Sequence, residues 1–262
     1  MTPTLDLRTV WLSDVHLGTR DCRADLLRDF LNRTRCDTLY LVGDVIDLES
    51  LKRSVYWPPA HSGVLRVILA KSQQGTRVVY IPGNHDDALR ALCGTRLGNI
   101  EVVDEAVHRT RAGRRLLVMH GDRFDGVLAC GPLARAFGSA AYRVLLTLNR
   151  FVHWLHEKRG RPYWSLAQHV KARMRNAVRY IERFESVCLD AAAEADLDGV
   201  VCGHIHKPAL LEREGLLYCN DGDWVESCTA LVEDRRGRLA LVGWPLAHSV
   251  ESDAAWPAQD AA

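Results

Sequence analysis

The segment Thr38-Leu-Tyr-Leu-Val-Gly-Asp-Val-Ile-Asp47 joins a short apolar run to a polar cluster that begins at Gly43. Three other apolar runs end in similar polar clusters: Thr9–Ser13, Arg77–Ile81 and Arg114–Met119. Helix-length stretches around residues 23 to 33 and 60 to 74 separate the first three runs, which favours parallel strands joined by crossover helices. We therefore expect the polar clusters to meet at the carboxyl ends of neighbouring strands, where open α/β sheets bind ligands.

In the second half of the chain the predicted secondary structure changes twice, first to helices and then back to strands. Residues 126–196 carry long helical patterns, and apolar strand patterns then resume at Gly199–Cys202, Leu216–Cys219, Cys228–Val232 and Leu239–Val242. These late patterns predict a second, more antiparallel sheet. The expected organisation is a core of residues 1–125 and 197–250, a helical insertion at 126–196 and a flexible tail at 251–262.

Composition narrows the class of protein. The net charge of +1 argues against nucleic-acid binding by bulk electrostatics. The eight cysteines form no Cys-x-x-Cys pair and no secretory signal pattern opens the chain, so a cytoplasmic protein with reduced thiols is expected. The most apolar stretch, Ala140–Leu155, contains charged residues and is too short to span a membrane. Peripheral contact with the inner membrane stays open, and no obligatory protein partner is indicated.

Seven residues in the polar clusters are candidate metal ligands: Asp14, His16, Asp44, Asn84, His120, His204 and His206. Carboxylate, imidazole and amide groups without a thiolate suit Mn²⁺, Fe or Zn²⁺ better than Mg²⁺ or Ca²⁺. Seven ligands exceed the needs of one tetrahedral ion. They suit two ions about 3.5 to 4 Å apart, an arrangement that stabilises the attacking and leaving oxygens in phosphoryl transfer. We interpret Cys202, next to the last cluster, as a buried strand residue.

The ordered set resembles the calcineurin-like metallophosphoesterases, whose motifs are D-x-H, G-D-x-x-D, G-N-H-D/E, H-G-D or a variant, and G-H-x-H. All five occur here in that order. The resemblance implies an α/β fold, a four-layer αββα sandwich with a dinuclear site at one edge. It also implies that Asp44 bridges two ions, each of which has three further ligands: Asp14, His16 and His206 for one ion, and Asn84, His120 and His204 for the other.

The resemblance also assigns roles to residues that bind no metal. His85 would lie over the phosphate as a general acid or hydrogen-bond donor, Asp47 would orient its imidazole, and a metal-bridging hydroxide would attack. We interpret Asp86 and Asp122 as turn residues or as residues that orient a ligand.

The predicted insertion is locally basic. Between Arg150 and Phe184, nine Lys and Arg residues accompany only two Glu residues. The candidates for substrate binding are Lys171, Arg173, Arg175 and Arg179. Together with the apolar segment Tyr142–Leu155, they could bind the phosphates and acyl chains of an amphiphile. The alternative is that the apolar residues form the insertion's own core and the arginines form a solvated face.

The insertion and the segment Asn220–Glu226 resemble the UDP-2,3-diacylglucosamine pyrophosphohydrolase-like branch. This resemblance implies hydrolysis to UMP and 2,3-diacylglucosamine 1-phosphate in lipid A synthesis, usually with Mn²⁺, at the cytoplasmic face of the inner membrane. In the established members the third motif reads G-N-R-D, whereas His85 stands at the arginine position here. The alternatives are a phosphodiesterase acting on soluble nucleotides or small phosphodiesters, and a noncatalytic scaffold, which the intact ligand set disfavours.

Overall fold

The computed structural model describes residues 5–128 and 167–245, without the side chains of 127 and 167–177. The segment Tyr142–Leu155, the tail 251–262 and the side chains of Lys171, Arg173 and Arg175 lie outside the described residues. The chain divides into two compact units, one running from Arg123 to Val187 and the other made of the residues before and after it. The boundaries expected at 126 and 196 stay predictions.

The described residues form twelve strands and five α-helices. The strands are β1 (Leu5–Leu12), β2 (Thr34–Val42), β3 (Arg77–Ile81), β4 (Arg96–Leu97), β5 (Ile100–Val102), β6 (Ala106–Arg109), β7 (Arg115–Val118), β8 (Gly199–Cys202), β9 (Ala209–Arg213), β10 (Leu216–Asn220), β11 (Thr229–Asp234) and β12 (Leu239–Gly243). The α-helices are α1 (Ala24–Asn32), α2 (Leu48–Arg53), α3 (Pro59–Gln73), α4 (Asp125–Leu128) and α5 (Ala167–Glu194).

The first sheet has seven strands in the order β12-β11-β1-β2-β3-β5-β4. Its centre is parallel, with Val10 opposite Leu39 and Leu39 opposite Val78. Helices α1 and α3 make the crossovers between β1, β2 and β3, as the sequence pattern predicts. Helix α1 buries Leu27, Phe30 and Leu31, a spacing of three to four residues that gives one apolar face.

The second sheet has five strands in the order β6-β7-β8-β10-β9. The prediction that the four late strands share this sheet is wrong, because β11 and β12 extend the first sheet beside β1. The expectation of a mainly antiparallel sheet is also incomplete, since β7, β8 and β10 pair in parallel. An apolar run shows that a strand is buried but does not identify its hydrogen-bonding partner.

The two sheets pack face to face and helices cover their outer faces. Between the sheets, Trp11, Tyr40 and Val79 of the first sheet share a buried core with Val118 and Val201 of the second. On the other side of the first sheet, a second core joins residues of α1 and α3 to strand residues, among them Phe30, Val64, Val10 and Leu39.

The end of helix α5 supplies the fourth layer. Cys188, Leu189 and Ala192 are buried there. Burial raises the pKa of Tyr218 on β10, and the nearby thiols of Cys202 and Cys188 raise it further. This proximity places the end of α5, from Cys188 onward, against the second sheet, and the predicted four-layer α/β sandwich is confirmed.

A buried carboxylate also ties the sheets together. Glu233 on β11 accepts hydrogen bonds from Thr9 (3.1 Å), from the backbone N–H of Arg111 (2.6 Å) and from Arg8 (2.5 Å), and it lies 3.1 Å from Nε2 of His108 on β6. Burial alone would raise the pKa of Glu233, but His108, the Arg111 amide and Arg8 hold it below its ordinary value. The charged form of Glu233 is therefore stabilised in the folded protein.

Glu233→Gln is expected to lower the free energy of unfolding by about 2 kcal/mol at pH 7, because it weakens charge-assisted hydrogen bonds to buried donors. Since folding lowers the pKa of Glu233, its contribution is complete above the ordinary value of 4.5 and is lost as pH falls through the folded pKa. Urea unfolding at a series of pH values should show the free energies of unfolding of the wild type and of Glu233→Gln becoming equal in acid. Glu212→Gln, at an exposed ion pair, is the control and should change little. A difference between the two proteins that does not depend on pH would contradict this account.

Candidate metal centre

All seven predicted ligands follow strands of the two sheets. Asp14 and His16 follow β1, Asp44 follows β2 and Asn84 follows β3. The remaining three follow strands of the second sheet, with His120 after β7 and both His204 and His206 after β8. The first sheet therefore supplies four candidates and the second sheet three.

The backbone at most of these positions is left-handed. The φ angles of Asp14, His16, Asp44, His204 and His206 lie between 49° and 69°. Non-glycine residues rarely adopt this region. Each such residue lowers the stability of the fold by on the order of 1–3 kcal/mol, and the conformation persists only where its surroundings enforce it. Strain concentrated at adjacent strand ends is typical of a functional site, where it turns consecutive side chains towards a common point.

Glycines beside the ligands make room for them. A Cβ atom added to Gly83 would collide with the carboxylate of Asp44 and the ring of His120. At Gly203 it would collide with Ser13 and with the carboxylate of Asp14. The glycines of the motifs are therefore explained by the close approach of backbone to ligand side chains.

One group of ligands surrounds Asp14. Asp14 Oδ1 lies 3.1 Å from His206 Nε2 and 3.9 Å from His16 Nε2. The candidate ligand atoms of these three residues all lie within 4.8 Å of one another. Asp14 Oδ2 accepts a hydrogen bond of 2.8 Å from the backbone N–H of His204, which leaves Oδ1 to face the imidazoles.

A second group surrounds Asp44. Asp44 Oδ2 lies 3.5 Å from His120 Nε2 and 3.9 Å from His16 Nε2. His120 donates from Nδ1 to the carbonyl oxygen of Val42 at 2.8 Å, which turns Nε2 towards the carboxylate. The ring of His204 lies 5.2 Å from that of His120, centroid to centroid. Asp44 thus lies between the Asp14 group and the His120 group.

Buried atoms without hydrogen bonds show that these residues fit metal ions. Within the described residues, several candidate ligand atoms are buried and have no hydrogen-bond partner: Asp14 Oδ1, His16 Nε2, Asn84 Oδ1 and His120 Nε2. Leaving a buried polar group unsatisfied costs about 1–3 kcal/mol, so a cluster of such groups needs a compensating ligand. Divalent cations bound by these oxygen and nitrogen atoms would supply it.

The charges of the buried side chains support the same conclusion. Burial would lower the pKa of His206, but Asp14 raises it to about 9. Burial likewise opposes charge on His120, whose pKa Asp44 holds well above its ordinary value. The buried carboxylates therefore favour positive charge at these imidazoles, and divalent cations would supply positive charge at the same place.

Asp47 and His85 lie beside the ligands. Asp47 Oδ2 is 3.2 Å from His85 Nδ1 and 3.4 Å from His16 Nδ1, while Oδ1 accepts a hydrogen bond of 2.7 Å from Ser50 N–H at the start of α2. The side chain of His85 is 27% exposed, against 4% for Asp47. His85 is therefore the group of this pair that a substrate can reach.

Sequence reasoning missed a second layer of polar residues. Ser13 Oγ lies 2.6 Å from Asp14 Oδ2 and 2.5 Å from Asp221 Oδ1. One hydroxyl hydrogen cannot serve both contacts, and burial raises the pKa of Asp221 well above its ordinary value. A protonated Asp221 that donates to Ser13 satisfies both contacts. The only sequence signal was the position of Ser13 beside Asp14 and of Asp221 in the segment Asn220–Glu226.

Arg90 is a further residue that the sequence did not single out. It donates to the carbonyl oxygen of Pro82 (3.0 Å) and to both carboxylate oxygens of Asp122 (2.9 Å each). The loop after β3 is thereby tied to the loop that carries His120. Cys202 is buried beside Tyr218, in agreement with its interpretation as a strand residue. Of the candidate substrate contacts, only the side chain of Arg179 is described, and it is exposed.

Comparison with known families defines the class. A family model described as calcineurin-like phosphoesterase matches residues 7–208. The chain belongs to this family, and the prediction of a metal-dependent phosphoesterase is confirmed.

Its curated relatives include proteins named UDP-2,3-diacylglucosamine hydrolase. The protein of Aeromonas salmonicida is 27% identical over 94% of this chain and 99% of its own length. The protein of Aeromonas hydrophila is 25% identical over 90% of this chain and 100% of its own length. The similarity therefore spans nearly the full length of both.

Solved structures with similar folds include an archaeal phosphodiesterase, which aligns with a TM-score of 0.42 at 12% identity over 90% of this chain and 98% of that chain. A phosphoesterase of E. coli aligns with a TM-score of 0.40 at 14% identity over 90% and 98%.

Asp44→Asn is expected to weaken Mn²⁺ binding on the order of a hundredfold or more. A unit charge about 4 Å from another contributes about 4 kcal/mol at an effective dielectric constant of 20, and the amide lacks that charge. Calorimetric titration with Mn²⁺ measures the effect. Asp25→Asn, on an exposed side chain of α1, is the matched control and should bind as the wild type does. Equal affinity in Asp44→Asn would show that Asp44 is not a ligand.

Proposed function

We propose that this chain is a dinuclear hydrolase of a phosphoester or diphosphate, most specifically of UDP-2,3-diacylglucosamine or a related lipid-linked nucleotide diphosphate. The observation that carries the hydrolase proposal is the convergence of buried, unpartnered ligand atoms from both sheets beside an accessible histidine. The names and nearly full-length similarity of the curated relatives support the substrate.

In this proposal two groups of ligands share Asp44. Asp14, His16 and His206 hold one ion, and Asn84, His120 and His204 hold the other. The position of Asp44 Oδ2 within 4 Å of His16 Nε2 and of His120 Nε2 supports a bridging role, because these atoms belong to different groups. Bound ions, for which we propose Mn²⁺, would lower the pKa of water and neutralise charge on the phosphate.

The residues that bind no metal act on the substrate. His85 is placed to donate a proton or hydrogen bond to the phosphate or its leaving oxygen, since its ring is partly exposed beside the buried carboxylate of Asp44. Asp47 Oδ2 lies 3.2 Å from His85 Nδ1, and His85 Nε2 lies 4.0 Å from Asp44 Oδ2, so this edge of the ring faces the proposed metal centre. Because the other oxygen of Asp47 is fixed by Ser50 N–H, the imidazole is held in one orientation.

The remaining substrate contacts and the cellular location are proposals as well. Lys171, Arg173, Arg175 and Arg179 are proposed to bind the diphosphate, which suits their positive charge. None of the helices in the described ranges combines the length and apolar character of a membrane span. For a lipid-linked substrate, we propose peripheral contact of a cytoplasmic enzyme with the inner membrane.

A second candidate function is hydrolysis of soluble nucleotides or small phosphodiesters. The identity of residue 85 favours it, because this chain carries His85 where the established pyrophosphohydrolases carry arginine. An imidazole exchanges a proton near neutral pH, whereas a guanidinium stays charged and can only donate hydrogen bonds. His85 therefore suits a substrate whose leaving oxygen needs a proton.

Purified protein with Mn²⁺ is expected to release UMP from UDP-2,3-diacylglucosamine, and chelation of the metal should abolish the release. UDP-glucose, which lacks the acyl chains, is the matched control and should react more slowly. No UMP from the lipid substrate would reject it. Hydrolysis of bis(p-nitrophenyl) phosphate in that same preparation would then favour the second candidate.

His85→Ala is expected to lower kcat by about 10²–10⁴-fold, the usual contribution of a general acid. Metal content, measured by elemental analysis, should stay at the wild-type level because His85 is not a proposed ligand. His206→Ala is the contrasting variant and should lose metal and activity together. Full activity in His85→Ala would remove His85 from the reaction.

A further inference from the structure

Asp86 is a buried carboxylate between two loops of the centre, the one after β2 and the one after β3. Its side chain is fully excluded from solvent. Oδ1 accepts hydrogen bonds from the N–H groups of Gly83 (2.6 Å) and Asp44 (3.3 Å). Oδ2 accepts from the N–H groups of Val45 (2.9 Å) and Ile46 (3.4 Å).

The phenol of Tyr80 on β3 completes this set, donating to Oδ2 at 2.5 Å. Together the two oxygens accept hydrogen bonds from five donors, four of them backbone amides. Without the carboxylate, these buried donors would have no acceptor. Each unsatisfied donor would lower the stability of the fold by about 1–3 kcal/mol.

The amides held by Asp86 belong to residues that carry or adjoin the proposed ligands. Asp44 has a φ of 54°, and its own N–H and the two that follow all point at Asp86. Gly83 immediately precedes Asn84, so the same carboxylate also fixes the loop that presents the amide oxygen. A further hydrogen bond joins the same two loops: the backbone N–H of His85, after β3, donates to Asp44 Oδ1, after β2, at 2.8 Å.

We infer that Asp86 is a positioning residue that sets the spacing between Asp44 and Asn84 and thereby the affinity of the centre for its metal ions. This inference rests on the proposed function, in which both residues are ligands. The carboxylate binds no metal itself, since its two oxygens are directed at the five donors. Groups that orient metal ligands contribute about 10–100-fold to metal affinity.

The test is Asp86→Asn in the full-length protein, titrated with Mn²⁺ by calorimetry. The amide keeps the size of the side chain but offers one acceptor oxygen in place of two, and its NH₂ group faces N–H donors. Mn²⁺ affinity is expected to fall about 10–100-fold. At saturating Mn²⁺, kcat should return close to the wild-type value, because every group that contacts the substrate is still present.

The matched control is Asp87→Asn, on the adjacent carboxylate, whose side chain is 67% exposed. It should bind Mn²⁺ as the wild type does. Tyr80→Phe removes a single donor from Asp86 and is expected to lower Mn²⁺ affinity by a smaller factor, about two- to tenfold.

Wild-type Mn²⁺ affinity in a folded Asp86→Asn protein would overturn the inference. Should that variant fail to fold, Tyr80→Phe decides the question, and unchanged affinity there would overturn it. A wild-type protein that binds Mn²⁺ but hydrolyses no phosphoester would reject the proposed function while the comparison of affinities still stands. A wild-type protein that binds no Mn²⁺ would reject the metal centre and the positioning role with it.

Discussion

Apolar packing between the two sheets is the interaction on which the rest of the structure depends. Trp11, Tyr40 and Val201 are buried completely or nearly so in the core that joins them. Because this core aligns the carboxyl ends of β1, β2 and β3 with those of β7 and β8, loops distant in sequence meet at one edge. His120 and His204 come from one sheet and Asp14 and Asp44 from the other, so the centre exists only while the sheets are packed.

Strained backbone and buried charge lie together at this edge, and neighbouring groups offset their cost in free energy. Left-handed backbone at Asp14 and Asp44, together with the burial of both carboxylates, would be costly in isolation. Histidines supply compensating charge, and Asp86 satisfies the amides of the strained turn after β2. A site built in this way is prepared to bind cations, because hydrogen bonds such as those of His120 to Val42 and of His204 to Asp14 already fix its side chains.

Chemistry and specificity are separated within the chain. In the proposed function, the buried ligands would hold the metal ions that act on the phosphoester, whereas His85 and the basic residues after Asp122 would bear on which phosphoester is hydrolysed. His85 is oriented by Asp47, which also contacts His16, so one carboxylate links the reactive imidazole to the metal centre. In this proposal, a change of residue 85 would alter the group beside the leaving oxygen without rebuilding the ligand set.

The sequence by itself predicted the parallel β1-β2-β3 unit from apolar periodicity. Its ordered motifs predicted a candidate ligand set and, through the family resemblance, the four-layer fold, because motifs and periodicity are local signals. Only the tertiary structure decided that β11 and β12 join the first sheet, that Glu233 meets His108, and that Asp86 and Asp221 support Asp44 and Asp14. Strand pairing and hydrogen bonds between residues far apart in sequence leave no periodic trace. A buried aspartate that accepts backbone amides has the same local pattern as one in an ordinary turn, and the fold alone distinguishes them.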